Sequence, residues 1–303
     1  MKIVIAGGTG FLGQPLTAAL LADGHAVVVL SRRASVPVAA GARLVKWDLA
    51  PPSSAWTTEI DGADVVVNLA GEPIADHRWT AARKSRIEDS RVTATRHLVN
   101  AILEAKQPPA VLVSGSGVGF YGPCGDEFVT EDTGAGHDFL AGVCRRWEAQ
   151  AVEASSSNTR VVCVRTGLVL ERDGGALPKM LPPFRFGMGG RVGTGRQFWP
   201  WIHRADWVNM IRFAIATPEI VGPMNATAPD PVSNAVFARE LGKALDRPSF
   251  VPTPRLALRV LLGEMADALL LSGQRAIPAK AERLGFTFAY PTLAPALATL
   301  FRK

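Results

Sequence analysis

Cysteine is close to absent from this chain. Its 303 residues contain three, Cys124, Cys144 and Cys163. An odd number without a C-x-x-C pair indicates neither a disulfide framework nor a zinc site. Tyrosine is scarcer still, with only Tyr121 and Tyr290. No apolar run approaches the roughly 20 residues that a membrane-crossing helix needs. The opening Ile3–Ala6 run reaches a glycine turn too soon to be a signal-peptide core. A reducing, cytoplasmic compartment with no membrane partner is the expectation. Neither sign of charge dominates: 33 basic residues face 27 acidic ones, a net +6 spread along the chain. Nucleic acid is therefore not an expected partner, whereas local arginines suit a small anionic molecule. No His, Asp, Glu and Cys grouping has ligand spacing, so no metal is expected.

What the sequence does have is apolar residues, 48% against 20% charged, enough for a sizeable core. Short β-branched runs alternate with helical patterns in the first half. Ile3–Ala6, Ala26–Leu30, Arg43–Trp47, Val65–Leu69, Val111–Ser114 and Val161–Arg165 read as strands. Unbroken apolar strands suit a sheet covered on both faces, hence a parallel one. Leu12, Leu16, Ala19 and Leu20 share one helical face, with Gly24 as terminator. Longer helices are expected over about Trp79 to Glu104 and Phe139 to Ala154. The pattern predicts an α/β fold, a Rossmann-type doubly wound parallel sheet, over residues 1–170. Beyond Leu170, Gly174-Gly175, Pro182-Pro183 and the glycines from Gly187 to Gly195 interrupt regular structure. Helices return at about Trp207–Ala216, Asn234–Leu245 and Arg255–Leu271. Residues 171–303 thus read as a smaller, partly irregular C-terminal substrate-binding region on the carboxyl edge of the sheet. The Arg255–Leu271 segment is expected to be an ordinary packed helix, because its polar face is not strongly basic.

Gly7, Gly10 and Gly13 follow the first strand directly and open the first helix. That spacing serves a tight turn, a close backbone approach to a pyrophosphate, and tight packing of helix on strand. Free N–H groups at the helix start then face the phosphates. Gly7, Thr9, Gly10, Phe11, Leu12 and Gly13 are accordingly candidate dinucleotide-binding residues. The end of the second strand selects between dinucleotides. An acidic side chain there would bond a ribose 2′-hydroxyl, but this chain has Ser31, Arg32 and Arg33. A hydroxyl and two guanidiniums suit a 2′-phosphate, so NADP(H) is expected in preference to NAD(H). The alternative is that both arginines are solvated loop charges.

Several further motifs carry a likeness: Trp47-Asp48, Asn68-Leu69-Ala70-Gly71-Glu72-Pro73, Arg78-Trp79, Ser90-Arg91, and Ser114-x-Ser116-x-Val118-Gly119-Phe120-Tyr121-Gly122. With the glycine turn they resemble an atypical, extended short-chain dehydrogenase/reductase. Trp147-Glu148, Arg165 to Leu170, Trp201-Ile202-His203 with Asp206, and Asn225-Ala226-x-Ala228-Pro229 are similar to one subgroup. It comprises nucleotide-sugar epimerase-family proteins with a characteristic C-terminal segment. The resemblance implies that Asp48 and Leu49 flank the adenine and that Leu69, Ala70 and Gly71 line the middle of the cofactor. It also implies cofactor-binding places for Arg91 and Arg165, with Arg86 weaker. A monomer or a homodimer is expected.

Short-chain reductases ordinarily use a tyrosine and a lysine four residues later on one helix face. The lysine lowers the phenol's pKa, and the phenol moves the proton that accompanies hydride transfer. Aligned on Trp147-Glu148, this chain has Leu140 and Cys144 at those two places. Ser116 matches the family's carbonyl-polarising serine if one extra residue is allowed, and Tyr121 is the candidate proton donor. Both have structural alternatives, a turn-forming hydroxyl and a packed aromatic. Cys144 reads as a buried, inert thiol, His203 as a hydrogen-bonded structural residue, and Asp206 as the cap of the next helix. Gly187–Gly195, with Arg191, Arg196 and Gln197, reads as a mobile loop over the cleft. The expected function is hydride transfer between NADP(H) and a small substrate. An NADP(H)-binding sensor without turnover is the alternative.

Overall fold

The computed structural model describes residues 1–47 and 55–301. Its strands are β1 (Lys2–Ala6), β2 (Ala26–Ser31), β3 (Arg43–Lys46), β4 (Val65–Asn68), β5 (Val111–Gly117), β6 (Phe128–Val129), β7 (Arg160–Thr166), β8 (Leu168–Leu170), β9 (Phe198–Trp199), β10 (Trp201–His203), β11 (Gly222–Ala226), β12 (Val232–Ser233) and β13 (Arg275–Ala276). The helices are α1 (Gly13–Ala22), α2 (Thr57–Ile60), α3 (Ala81–Glu104), α4 (Phe139–Val152), α5 (Leu177–Arg185), α6 (Arg204–Ala216), α7 (Asn234–Ala244), α8 (Arg255–Leu262), α9 (Glu264–Ala266), α10 (Ala279–Arg283) and α11 (Leu293–Phe301).

Seven strands form one parallel sheet in the order β11-β7-β5-β4-β1-β2-β3. Successive strand residues point to opposite faces, so an unbroken apolar run feeds two cores at once. Ile3, Ile5, Val27, Val29 and Val67 pack under Leu16 and Leu20 of α1 and Trp207 and Ile211 of α6. Val4, Ala6, Val28, Leu30 and Val66 pack under Leu98 and Ile102 of α3 and Ala151 of α4. The expected doubly wound α/β fold is present. Thr80 and Asp138 start α3 and α4 by accepting backbone N–H bonds from Arg83 and Ala141, so both helix mouths are fixed beside the strand ends. Among the described residues, no helix is long and apolar enough to cross a membrane.

Three features differ from the sequence reading. The sheet does not end with β7, because β11 joins it from beyond residue 170, in register from Gly222 against Val162 to Ala226 against Thr166. Its Pro223 and Asn225 disguise it, and its position at the sheet's edge is what tolerates a proline. The segment expected as one packed helix over Arg255–Leu271 breaks at Gly263, whose φ is +64°. None of the residues of α8 is buried, and Leu256, Val260 and Leu261 are 74, 70 and 67% exposed. Finally, Gly187–Gly195 is a pinned crossing and not a mobile loop. Val251 and Thr253 donate N–H bonds to the carbonyls of Gly189 (3.0 Å) and Arg191 (2.8 Å), and Gly193 donates back to Thr253 (2.9 Å). Gln197 donates to the carbonyls of Val192 and Leu270. The glycines there permit close backbone approach: a Cβ on Gly190 would overlap the Val251 carbonyl.

Candidate cofactor site and its buried support

The turn after β1 is shaped by contact. Gly7 has φ +81°, and a Cβ there would lie 2.8 Å from the Leu69 carbonyl carbon and oxygen. A Cβ on Gly13 would come within 2.5 Å of Gly8 Cα. Only glycine fits either place. The Gly10 N–H closes the turn on Gly7 O (3.0 Å), and Gly10 itself is exposed. No side chain caps α1 and no acidic residue lies in its first turn, so its positive end is free to meet an anion. Phe11 and Leu12 are partly buried against the core, and the Arg204 guanidinium lies over the Phe11 ring. Leu69 N–H bonds to Ala6 O (2.8 Å), and Ala70 N–H to Asn68 Oδ1 (3.2 Å), which holds the end of β4 against the turn.

Gly7 N–H reaches Leu30 O (3.4 Å), which sets the end of β2 beside the same turn. The buried Ser31 hydroxyl accepts the Arg33 N–H (3.2 Å). Arg32 and Arg33 are exposed, and neither guanidinium has an ion-pair or hydrogen-bond partner among the described residues. Asp48 and Leu49 lie outside the described residues.

Arg91 reaches across from α3 to Gly71. It donates to the backbone carbonyls of Ile87 (2.8 Å) and Glu72 (2.9 Å) and lies over the Trp147 ring. Burial pulls its pKa below the usual arginine value. Arg86 is exposed, 4.0 Å from the Glu72 carboxylate.

Arg165, Ser116 and Tyr121 belong to a different environment. Arg165 is 4% exposed. Its Nε and Nη2 hold the two oxygens of Glu148 at 2.9 and 2.8 Å, and Nη1 donates to Tyr121 Oη (3.0 Å) and Glu131 O (3.3 Å). The guanidinium also lies 3.5 Å from the Phe120 ring centroid. Burial works to lower its pKa, but the hydrogen bond and charge of Glu148 outweigh it, so the pKa is raised. Ser116 Oγ donates to Glu148 Oε1 (2.6 Å), and Tyr121 Oη donates to Asn225 Oδ1 (2.6 Å). Asn225 is held in turn by Ile277 O and Glu131 Oε1. Four of the five N–H donors of the Arg165 head are taken by Glu148, Tyr121 and Glu131, which gives the residue a structural place in this network.

The two catalytic candidates belong to the same network. Tyr121 is 3% exposed, and burial pushes its phenol up to about 12, the direction opposite to that required of a proton donor near neutrality. The Ser116 proton is committed to Glu148, which leaves no hydroxyl proton to polarise a carbonyl. The helix face expected to carry tyrosine and lysine instead sets Leu140 against Gly119 and Cys144 against Gly117. Burial raises the Cys144 thiol to about 11, as expected of an inert buried cysteine.

His203 is structural, and it takes the role expected of Asp206. It caps α6, with Nδ1 accepting the Ala205 N–H (3.1 Å), and its ring stacks on Tyr290 at 3.9 Å. Asp206 is fully buried one turn on, where its two oxygens accept the N–H groups of Ala289 and Tyr290 at 2.8 Å each. Glu131 and Asn225 were missed as parts of the buried network. They meet across 94 residues of chain, and no local pattern announces that contact.

A parallel sheet with a glycine turn at the carboxyl end of its first strand, and beyond the second two arginines without a partner among the described residues, defines a dinucleotide-fold protein. The match to known proteins narrows this. Residues 3–226 match the NAD dependent epimerase/dehydratase family, and residues 253–300 match a domain of unknown function, DUF1731. The chain belongs to the NAD dependent epimerase/dehydratase family. It is 43% identical to the epimerase family protein Mb2239 of Mycobacterium bovis, over 97% of this chain and 96% of that one. The crystal structure of human epimerase family protein SDR39U1 (isoform 2) with NADPH superposes with a TM-score of 0.91 at 37% identity, covering 99% of both chains. A nucleoside-diphosphate sugar epimerase from Corynebacterium glutamicum gives 0.79 at 37% identity, with 99% of this chain and 58% of that one covered.

Proposed function

We propose that this protein binds NADP(H) and transfers hydride between it and a small anionic substrate in the cleft at the carboxyl ends of the strands. The observation that carries the reading is Arg32 and Arg33, exposed and without a partner among the described residues, beside a capless glycine turn. The backbone N–H groups from Thr9 to Gly13 fit the pyrophosphate, and Ser31, Arg32 and Arg33 fit a 2′-phosphate. Asp48 and Leu49 would flank the adenine, and Leu69, Ala70 and Gly71, with Arg91 behind them, would line the middle of the cofactor. Bound there, NADP(H) supplies or accepts the hydride. The chain offers no tyrosine–lysine acid, so the accompanying proton is exchanged with the substrate or with water and not with Ser116 or Tyr121.

Calorimetry tests the cofactor half of this reading. NADPH should bind far more tightly than NADH, and R32A/R33A should weaken NADPH at least about a hundredfold while leaving NADH unchanged, since each of the two lost charge-assisted bonds is worth about 1.5–3 kcal/mol. Equal affinities for the two cofactors in the unmutated protein would refute it. A panel of carbonyl compounds and nucleotide sugars tests the chemical half through oxidation of NADPH. The apolar face of Leu140 and Cys144 favours a second reading, an NADP(H)-binding sensor that lacks turnover. Tight NADPH binding with no oxidation across the panel would support that reading instead. A monomer or a homodimer is compatible with either.

A further inference from the structure

The exposed face of α8 forms one side of a wide, open groove lined by Arg78, Pro254, Leu256, Ala257, Val260 and Leu261. The other wall is the segment that follows β4. It is tied to the rest of the cleft's rim by Trp79, whose ring packs on Phe139 at 5.1 Å, next to Leu140. Charge around the groove is one-sided. Of the acidic side chains at its rim, Asp76 is taken by Lys179, Glu264 by Lys84, and Asp267 by Arg259. Arg78 has no ion-pair or hydrogen-bond partner among the described residues, and its guanidinium stands at the Gly263 end of α8. Arg255 adds a further cation near the Asp267–Arg259 pair. The groove therefore combines a continuous apolar floor with an excess of positive charge at its ends.

We infer that this groove holds a single-chain anionic amphiphile, its hydrocarbon chain along Leu256, Val260 and Leu261 and its acidic head on Arg78. Apolar contacts from Leu256, Ala257, Val260 and Leu261 beside the single cation Arg78 form the pattern that fixes a ligand's orientation. A second copy of the chain fits poorly. An antiparallel two-fold contact of α8 on α8 would set Arg78, at the Gly263 end of one helix, against Arg255 at the start of the other, cation facing cation. The inference concerns binding alone and goes beyond the redox reading, so it stands or falls separately from turnover.

The test uses the full chain saturated with NADPH and two probes, decyl phosphate below its micelle concentration and uncharged decanol below its solubility limit. Calorimetry should show saturable decyl phosphate binding and decanol binding about tenfold weaker or more, the value of one charge-assisted bond. V260D and L256D should each weaken decyl phosphate at least about tenfold, because each puts a carboxylate on a floor that has to take hydrocarbon. R78Q should bring the two probes to equal affinity. NADPH affinity measured on the same samples shows that each variant is folded, since all three residues are exposed. Absence of saturable binding, equal binding of both probes by the unmutated protein, or indifference to V260D would overturn the inference. So would either rival occupant: a dimer in sedimentation that V260D abolishes, or flotation with anionic phosphatidylglycerol vesicles by a protein that ignores the monomeric probe.

Discussion

Glu148 is the residue whose loss should be felt most. Replacing it by leucine removes both acceptors of the Arg165 fork and the acceptor of the Ser116 hydroxyl in one step. Arg165 is 4% exposed, so its charge would stay buried with only Tyr121 Oη and a backbone carbonyl as hydrogen-bond partners. Breaking a buried pair from one side costs about 3–5 kcal/mol, against about 5–15 kcal/mol of stability for a typical domain. E148L should therefore lower the urea midpoint sharply in a tryptophan-fluorescence titration, with an unchanged slope. Removing the charge from both sides, as E148L/R165M, should recover much of that loss, because two matched apolar side chains leave nothing unpaired. S116A alone should cost about 1–3 kcal/mol, the range for a bond to a charged group. A cost below about 1 kcal/mol for E148L, or a double variant no better than the single one, would refute the view that the network is held by this ion pair.

Three further outcomes are expected. Alkaline spectrophotometric titration of Y290F should show no tyrosinate until close to pH 12, because Tyr121 titrates there in the folded protein. Its folded pKa lies above the unfolded value of about 10, so stability should fall as pH rises from about 10 to about 12, a slope that Y121F removes. Burial lowers the His203 pKa, so its contribution is present above the unfolded value of about 6.5 and is lost as pH falls below it. H203N, which retains a capping oxygen, should flatten that acid slope, whereas H203A should also lose about 1 kcal/mol in denaturant titrations at pH 8. G13A should abolish NADPH binding in calorimetry and lower the melting temperature, since its Cβ has no space against Gly8. A18S, on an exposed position of the same helix, should do neither.

The strands at the centre of the sheet were legible because each is an apolar run long enough to serve two faces. The glycine turn was legible for a related reason, since steric exclusion of Cβ leaves a mark that only glycine can make. The errors lie where partners are distant in sequence. Tyr121 and Ser116 sit where a catalytic pair would sit, and their residue types alone do not show that one turns toward Asn225 and the other toward Glu148. The seventh strand was hidden by Pro223 and Asn225, which a sheet's edge accepts and its centre would not. Gly263 ended α8 early, and the apolar residues expected to bury that helix turned out to face outward. Gly187–Gly195 read as mobile from its glycines, which in fact allow the backbone to lie against residues 251–253.

The late arrival of β11 bears on how the chain is cut and made. Truncation after Leu170 would strip β7 of its neighbour and leave a row of bare amide and carbonyl groups along Arg160–Thr166, a template for pairing with other chains. It would also take Asn225 from Tyr121, leaving a buried phenol without its acceptor. A fragment ending there should aggregate. A protease nick in the irregular stretch between, by contrast, should leave two pieces that remain together. During synthesis the first 170 residues must wait, with one sheet edge uncovered, until more than fifty further residues have emerged.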